Sequence, residues 1–587
     1  MPRPHLLPGL IVALMLPLAA RAAGPADRLF KLVPPDAGVT LAVEDLRGHA
    51  RTLLASPLAG GLRRLPVVRK WQESEGFRSF RKSLDRIETL LGTDVATLRD
   101  EVLGEAVVLA LWLPPGAGPD AARGLLLAGV PNRPLLDRLI DGLNAALTRE
   151  GELKRIDARQ RNGTTYHVRE FKPGGRAAEY YAVFDDGVFA WSNSEALVHG
   201  AIDRKAAGPG LGDVPAFQEV RRRMPERSAI SLFIDPEFAA SVMAAAPRPE
   251  KPRDQRALEM FVRYLSALKY FGAALAWRDG PVIHAEELVD PSKLDPALTR
   301  WASKSAPADP RLTRIPASAL GLATARVDFA TLLDALKALT PDPERSNYDN
   351  LMLAIRGALL GMDPRDEVAP QLGPFVSVYL DRPAPAANDG SLRPPLVATI
   401  QVAATPEGVR AASALDNALR TLMALVALDP VVAAARVRVE TRTEGGVVVT
   451  FLRGPKPFAF AVHEGRVVVA SYPAAVGRAL AAQADPRASV RFEALHARGV
   501  PRATTFALLD LRALYEFADP IRPAISRRLA PRQNRPEADA ARDLDQALAL
   551  IRLFDAAYFT TSIDPAFTGV HRALGLLARF PDQDQRP

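Results

Sequence analysis

The chain has 587 residues, of which 48% are apolar and 24% charged, and it contains no cysteine. These proportions belong to a globular protein, so they exclude wholesale disorder and a disulfide framework, and the length calls for more than one domain. A formal charge of +8 suits an anionic partner such as lipid headgroups, nucleic acid or a cell-wall polymer. The basic residues are dispersed along the chain, however, and without a patch they argue against nucleic acid.

At the N-terminus, Arg3 and His5 precede an apolar run from Leu6 to Ala20, and Ala20-Arg21-Ala22 follows. A basic start, a short apolar stretch and a small-x-small site predict a signal peptide over 1–22, cut after Ala22. The run holds Pro8 and Pro17 and falls short of a bilayer span, so no transmembrane anchor is expected after cleavage. The expected location is the periplasm or the cell exterior.

Next come Leu32-Val-Pro-Pro-Asp36, an alternating strand over Gly38–Val43 and a helical stretch from Leu46. The same order returns at Ile315-Pro316, Leu320–Val327 and the helical run to Leu339. Leu91-Gly92-Thr93-Asp94 before the strand Ala106–Leu113 matches Leu360-Gly361-Met362-Asp363 before Phe375–Leu380. A strand and helix follow in each half: Arg123–Val130 with Pro134–Leu147, and Leu396–Ala403 with Pro406–Leu425. Asn162-Gly163 marks a hairpin, with Glu444-Gly445-Gly446 in the comparable place.

Tyr180–Ile202 reads as strand, tight turn at Asp186-Gly187, strand and then a helix capped from Ser192, Asn193 or Ser194. Phe458–Leu480 repeats it, with Glu464-Gly465 at the turn and Pro473 in the first helical turn. Later, the strand Ala229–Asp235 matches Thr504–Asp510, and Tyr270-Phe271 matches Tyr558-Phe559. Separations stay close to constant: Leu91 to Leu360 is 269 residues, Gly187 to Gly465 is 278, and Asp235 to Asp510 is 275. Ordered matches at near-constant spacing predict a tandem duplication. The first repeat domain is 23–289, a Pro- and Ser-rich linker is 290–314, and the second is 315–587. Successive hairpins interleaved with helices predict the α+β class, each domain a mainly antiparallel sheet with helices packed on one face.

No GxSxG, HExxH, Walker or GxGxxG motif is present. Ser79/Lys82 and Ser266/Lys269 fit SxxK, but no KTG element accompanies them, as a penicillin-binding type of site needs. His167, His284 and His463 lack ligand-like spacing. Asp185-Asp186 reads as a polar turn tip, and Asp235 and Asp510 as caps of the helices that follow. Gly208, Gly210 and Gly212 resemble a phosphate loop, yet no strand leads directly into them. Met423–Ala433 is apolar around most of its circumference and reads as a segment buried against a sheet. No catalytic, cofactor-binding or metal-binding residue is expected.

The LVPPDA entry at Leu32–Ala37, the Glu44-Asp45-Leu46 helix entry and the hairpin closing in Ser192-Asn193 resemble a domain-of-unknown-function family of large exported bacterial proteins. Planctomycetes, myxobacteria and cyanobacteria hold such proteins, and the resemblance implies no catalytic residues. The functional expectation is a non-enzymatic exported envelope protein that binds or scaffolds a partner. The alternatives are a periplasmic carrier of lipid or another apolar ligand, and a hydrolase acting on an envelope polymer.

Overall fold

A computed structural model describes residues 24–114, 121–173, 177–245, 249–304, 315–340, 344–383, 394–428, 437–444, 446–454, 458–484 and 492–579. The expected signal peptide and residues 305–314 of the expected linker lie outside them. Two compact units form: residues up to 50 with 83–247 and 272–274, and residues 51–82 with 248–271 and 275–587. This division differs from the repeat boundary read at 289/315, because residues 51–82 and 275–289 gather with the second unit. Within 290–314, Pro296–Ser303 is a helix whose first turn Asp295 caps by accepting from the Ala297 N–H.

The first unit holds β1 (Val39–Glu44), β2 (Ala106–Trp112), β3 (Arg123–Gly129), β4 (Leu153–Arg161), β5 (Thr164–Phe171), β6 (Glu179–Val183), β7 (Val188–Ser192) and β8 (Ser228–Ile234). They pair antiparallel in the order β4-β5-β6-β7-β3-β2-β1-β8. Later strands are β9 (Leu268–Trp277), β10 (Pro281–Val289), β11 (Gly321–Arg326), β12 (Leu372–Leu380), β13 (Leu396–Val402) and β14 (Arg438–Glu444). They continue with β15 (Val447–Arg453), β16 (Phe458–His463), β17 (Arg466–Ala470), β18 (Thr505–Asp510), β19 (Phe554–Ile563) and β20 (Gly569–Ala578). In the second unit the antiparallel order is β14-β15-β16-β17-β13-β12-β11-β18-β19-β20-β10. The protein is a mixed α+β chain on mainly antiparallel sheet.

Eight helices position the side chains discussed below: α1 (Asp27–Phe30), α2 (Pro57–Arg64), α3 (Arg133–Arg149), α4 (Glu195–Ala206), α5 (Pro215–Arg223), α6 (Pro406–Leu428), α7 (Pro473–Ala484) and α8 (Leu511–Ala518).

In each unit one sheet face is sealed. In the first, Phe30 of α1 stands edge to face with Phe217 of α5 and Phe233 of β8, ring centroids 4.9 and 5.8 Å apart, and α4 buries Val198, Ala201 and Ile202. Glu44 is tolerated beneath them because Arg221 sits between it and Asp27, at 3.0 and 2.7 Å, neutralising a charge that burial alone would penalise. In the second, α7 lays Val476 and Ala479 over Ala459, Ala461 and Val468, in a core that reaches Phe506 and Tyr558. The opposite faces are covered only toward their margins. There α3 packs Leu135, Leu136 and Leu139 by Ala128 and Phe189, α6 packs Met423 on Phe460, and α2 and α8 pack by Leu509, Ala557 and Leu576.

The tight turns match their sequence signals. Asn162 and Gly163, like Glu464 and Gly465, have positive φ at both central positions, which two-residue hairpin turns demand. Ser192 and Asn193 do something other than cap a helix. Ser192 Oγ donates to the Gly124 carbonyl at 2.6 Å, and the Asn193 amide accepts from the Gly124 N–H at 2.9 Å, which braces β7 to β3. Ser471 does the corresponding job in the second unit, accepting from the Leu396 N–H at 3.0 Å.

Candidate functional site

Residues directly opposite one another in an antiparallel pair project from the same face. Following the register through the second unit therefore traces side-chain rows across the sheet. One row runs Ile283, Leu574, Phe559, Ala507, Ala323, Val378, Ala398, over β10, β20, β19, β18, β11, β12 and β13. It continues into Val469 and Phe460, where α6 covers it through Met423. The parallel row two residues along runs Leu576, Ala557, Leu509, Gly321, Leu380, Leu396.

The first of these rows is an apolar strip left open, whereas α2 and α8 cover the second at Leu576, Ala557 and Leu509 and leave Leu396 bare at its far end. Ile283 is 49% exposed, Leu574 53%, Phe559 39% and Leu396 51%. Ala323 is exposed and Ala507, Val378 and Ala398 are half-buried. Sheet residues of this kind are ordinarily buried, so a continuous bare row is informative where a single exposed leucine is not. Its small residues, Ala507 and Ala323, sit mid-strip between bulkier Phe559 and Val378, so the centre of the strip carries the least side-chain bulk.

A polar border flanks the strip at its β10–β18 end, where the next row is Arg572, Thr561 and Thr505. Arg572 pairs with Glu287, and the Tyr264 hydroxyl donates to the same carboxylate. Burial, followed by the Glu287 charge, pushes the Tyr264 phenol well up, so it stays a donor. On the sealed side of β20, His571 bonds Glu286 through Nδ1 and Asp564 through Nε2, the latter at 3.0 Å. Its imidazole is held above its ordinary pKa, first by the Glu286 hydrogen bond. A ring with both nitrogens on carboxylates is a charged tie between β10 and β20, with no nitrogen open to act as a base.

Beyond the Met423 contact, an open groove of about 990 Å3 runs beside α6, lined by Val409, Ala412, Val447, Val448 and Val462, with Asp416, Arg420 and His463 among its polar groups. Asp416 and Arg420 pair at 2.7 Å. α6 is long and apolar enough by length and composition to cross a membrane, and 17% of its most apolar window is buried. The run from Met423, expected to be buried against a sheet, is so at Met423 (1% exposed) but not at Leu425 and Leu428 (61% and 76%), nor is the preceding Leu422 (53%), because α6 meets the sheet along one face only. Residues 429–433 of that apolar run lie outside the described residues.

The residues weighed for chemistry are dispersed. Ser266 donates to the Arg263 carbonyl of its own helix, and Ser79 and Lys82 lie exposed on one helix face. His167 stacks on Tyr181 at 4.9 Å, and burial lowers its pKa, as it does for His284. Asp235 accepts from the Glu237 N–H at 2.7 Å and Asp510 from the Ala513 N–H at 2.8 Å, so both serve as caps. Gly210 lies against the Lys31 backbone, where a Cβ would meet the carbonyl at 2.1 Å, a packing role. Among the described residues, no group of three or more His, Asp or Glu is placed to hold a metal ion. Sequence reading missed the strip, whose only signal was period-two alternation with apolar residues at both phases of β18, β19 and β20.

Fold and site together define a mixed α+β protein with an open apolar sheet face. No protein-family model, curated protein or solved structure matches the chain.

Proposed function

We propose that this chain is a non-enzymatic binding module of the bacterial envelope, exported by residues 1–22, that holds an acyl chain of a lipid along the strip. The observation that carries this reading is the bare row from Ile283 to Ala398. Seven strands at about 4.8 Å spacing make it roughly 29 Å long, and the two-residue repeat along a strand gives a single row a width of roughly 7 Å. That is on the order of 200 Å2, far below the ~800 Å2 each partner buries in a stable protein complex. A slender apolar ligand fits those dimensions, since acyl chains of one leaflet span about half of a ~30 Å hydrocarbon core.

The duplication read from sequence is part of the same proposal. Strands β4-β5-β6-β7-β3-β2-β1-β8 and β14-β15-β16-β17-β13-β12-β11-β18 follow one order. In the first unit the row Leu232, Leu41, Leu109, Leu126, Trp191 occupies the places of Ala507, Ala323, Val378, Ala398, Val469. Leu232 to Ala507 is 275 residues, Leu109 to Val378 is 269 and Trp191 to Val469 is 278, the separations already met between the halves. Leu41 at 36% exposed supports a second, smaller apolar surface there. Exposed Leu422, Leu425 and Leu428 on α6 favour a second reading, docking of an envelope protein partner.

Titration of the purified protein with a fluorescent fatty acid tests the proposal. Saturable binding displaced by unlabelled fatty acid is expected; absence of saturable binding at any accessible concentration would overturn it.

A further inference from the structure

A separate cavity of about 510 Å3 in the first unit lies between α1, the β6–β7 turn and the last turn of α4. Four cations line it, Arg28, Lys31, Arg204 and Lys205, against three carboxylates, Asp27, Glu105 and Asp186. Each carboxylate is already engaged: Asp27 with Arg221 at 2.7 Å, Glu105 with Arg28 at 2.7 Å, and Asp186 with Lys205. Arg204 and Lys31 therefore face the cavity with no carboxylate at ion-pair distance among the described residues.

The guanidinium groups are also incompletely bonded. Arg204 donates from Nε to the Leu32 carbonyl at 2.9 Å, but its Nη2 is buried without a partner among the described residues. Arg28 donates from Nη2 to Glu105 and from Nη1 to the Asp186 carbonyl at 3.3 Å, while its Nε is buried without a partner among the described residues. Buried N–H donors are nearly always satisfied, so two orphans on two arginines at one cavity call for an acceptor that the described residues do not supply. Burial lowers the Arg204 pKa, only partly offset by Asp36 and by Asp203, which is itself doubly bonded to Arg161. A cation so placed gains from a buried anion.

We propose that this cavity binds a phosphate-type oxyanion, with Arg204 and Arg28 as donors and Lys31 completing the charge balance. Several acceptor oxygens on one small anion suit diverging guanidinium N–H groups better than a single carbonyl does. The site is independent of the apolar strip. Its ligand is a free phosphate or phosphoester, or the phosphate of a lipid headgroup.

Calorimetric titration of the purified protein with inorganic phosphate at low ionic strength tests this. Saturable binding is expected, weakened roughly tenfold by Arg204→Gln, the loss for one charge-assisted hydrogen bond. Lys31→Gln, at an exposed position that leaves the fold intact, should weaken it by up to about fivefold. Leu574→Glu should leave it unchanged, which separates this site from the apolar one. Phosphatidylglycerol vesicles that compete with phosphate, where phosphatidylcholine vesicles do not, would assign the headgroup; competition by glycerol phosphate alone would assign a soluble ester. Absence of saturable phosphate binding, or binding untouched by both substitutions, would overturn the proposal.

Discussion

Leu574→Glu is the sharpest perturbation of the strip. Leu574 lies between Ile283 and Phe559 in the register and is 53% exposed, so water already reaches it in the free protein. Completing the burial of a half-exposed leucine contributes about 1 kcal/mol, from roughly 1.5–3 kcal/mol for the whole side chain. A carboxylate in that place would instead lose hydration when an acyl chain covered it, at a cost of at least about 2 kcal/mol. The combined loss of about 3 kcal/mol is more than a hundredfold in Kd. Folding stability should change by no more than about 1 kcal/mol, because the site is solvated without ligand. Fatty-acid titration and urea denaturation of the same preparations measure the two quantities. Unchanged affinity would refute the strip as the site, and a stability loss above about 3 kcal/mol would show Leu574 to be core rather than surface.

His571→Gln tests the tie between β10 and β20. The folded pKa of His571 lies above its ordinary value, so its stabilisation is fully present below about pH 6.5 and is lost as pH rises through the raised pKa. The variant should be less stable than the parent by about 1–2 kcal/mol near pH 6, and the gap should narrow in alkali; a gap independent of pH would contradict this. A pair of glycines tests the packing of α6 against an unhindered helical position. A Cβ on Gly408 would meet the Ala403 carbonyl at 1.9 Å, whereas one on Gly357 meets nothing within 4 Å. Gly408→Ala should lose about 2 kcal/mol or more and Gly357→Ala should gain about 0.5–1 kcal/mol, both read by urea denaturation.

Local signals were legible wherever neighbours in sequence decide the outcome. Asn162-Gly163 announces its hairpin because both central positions need positive φ, and Asp235 and Asp510 announce helix starts because a carboxylate there meets free N–H groups. Met423 is buried as its apolar surroundings imply, but its neighbours Leu422 and Leu425 are not. Ser192 and Asn193 carried a capping signature and instead brace β3, whose Gly124 is 68 residues away from Ser192. The strip was beyond reach for the same reason on a larger scale. Ala323 is an unremarkable alanine until β11 is placed between β12 and β18, and Ile283 joins the row only through its pairing with Leu574, 291 residues away in sequence. Which face stays open depends on where α2, α6 and α8 stop, and period-two alternation carries no record of that.

Native mass spectrometry of the protein expressed from its full sequence and purified without refolding addresses acyl-chain binding most directly. The proposal predicts bound mass in stoichiometric amount, identified after solvent extraction as a lipid or fatty acid, and reduced in Leu574→Glu. Protein that is bare, and that stays bare after incubation with lipid vesicles, would contradict it.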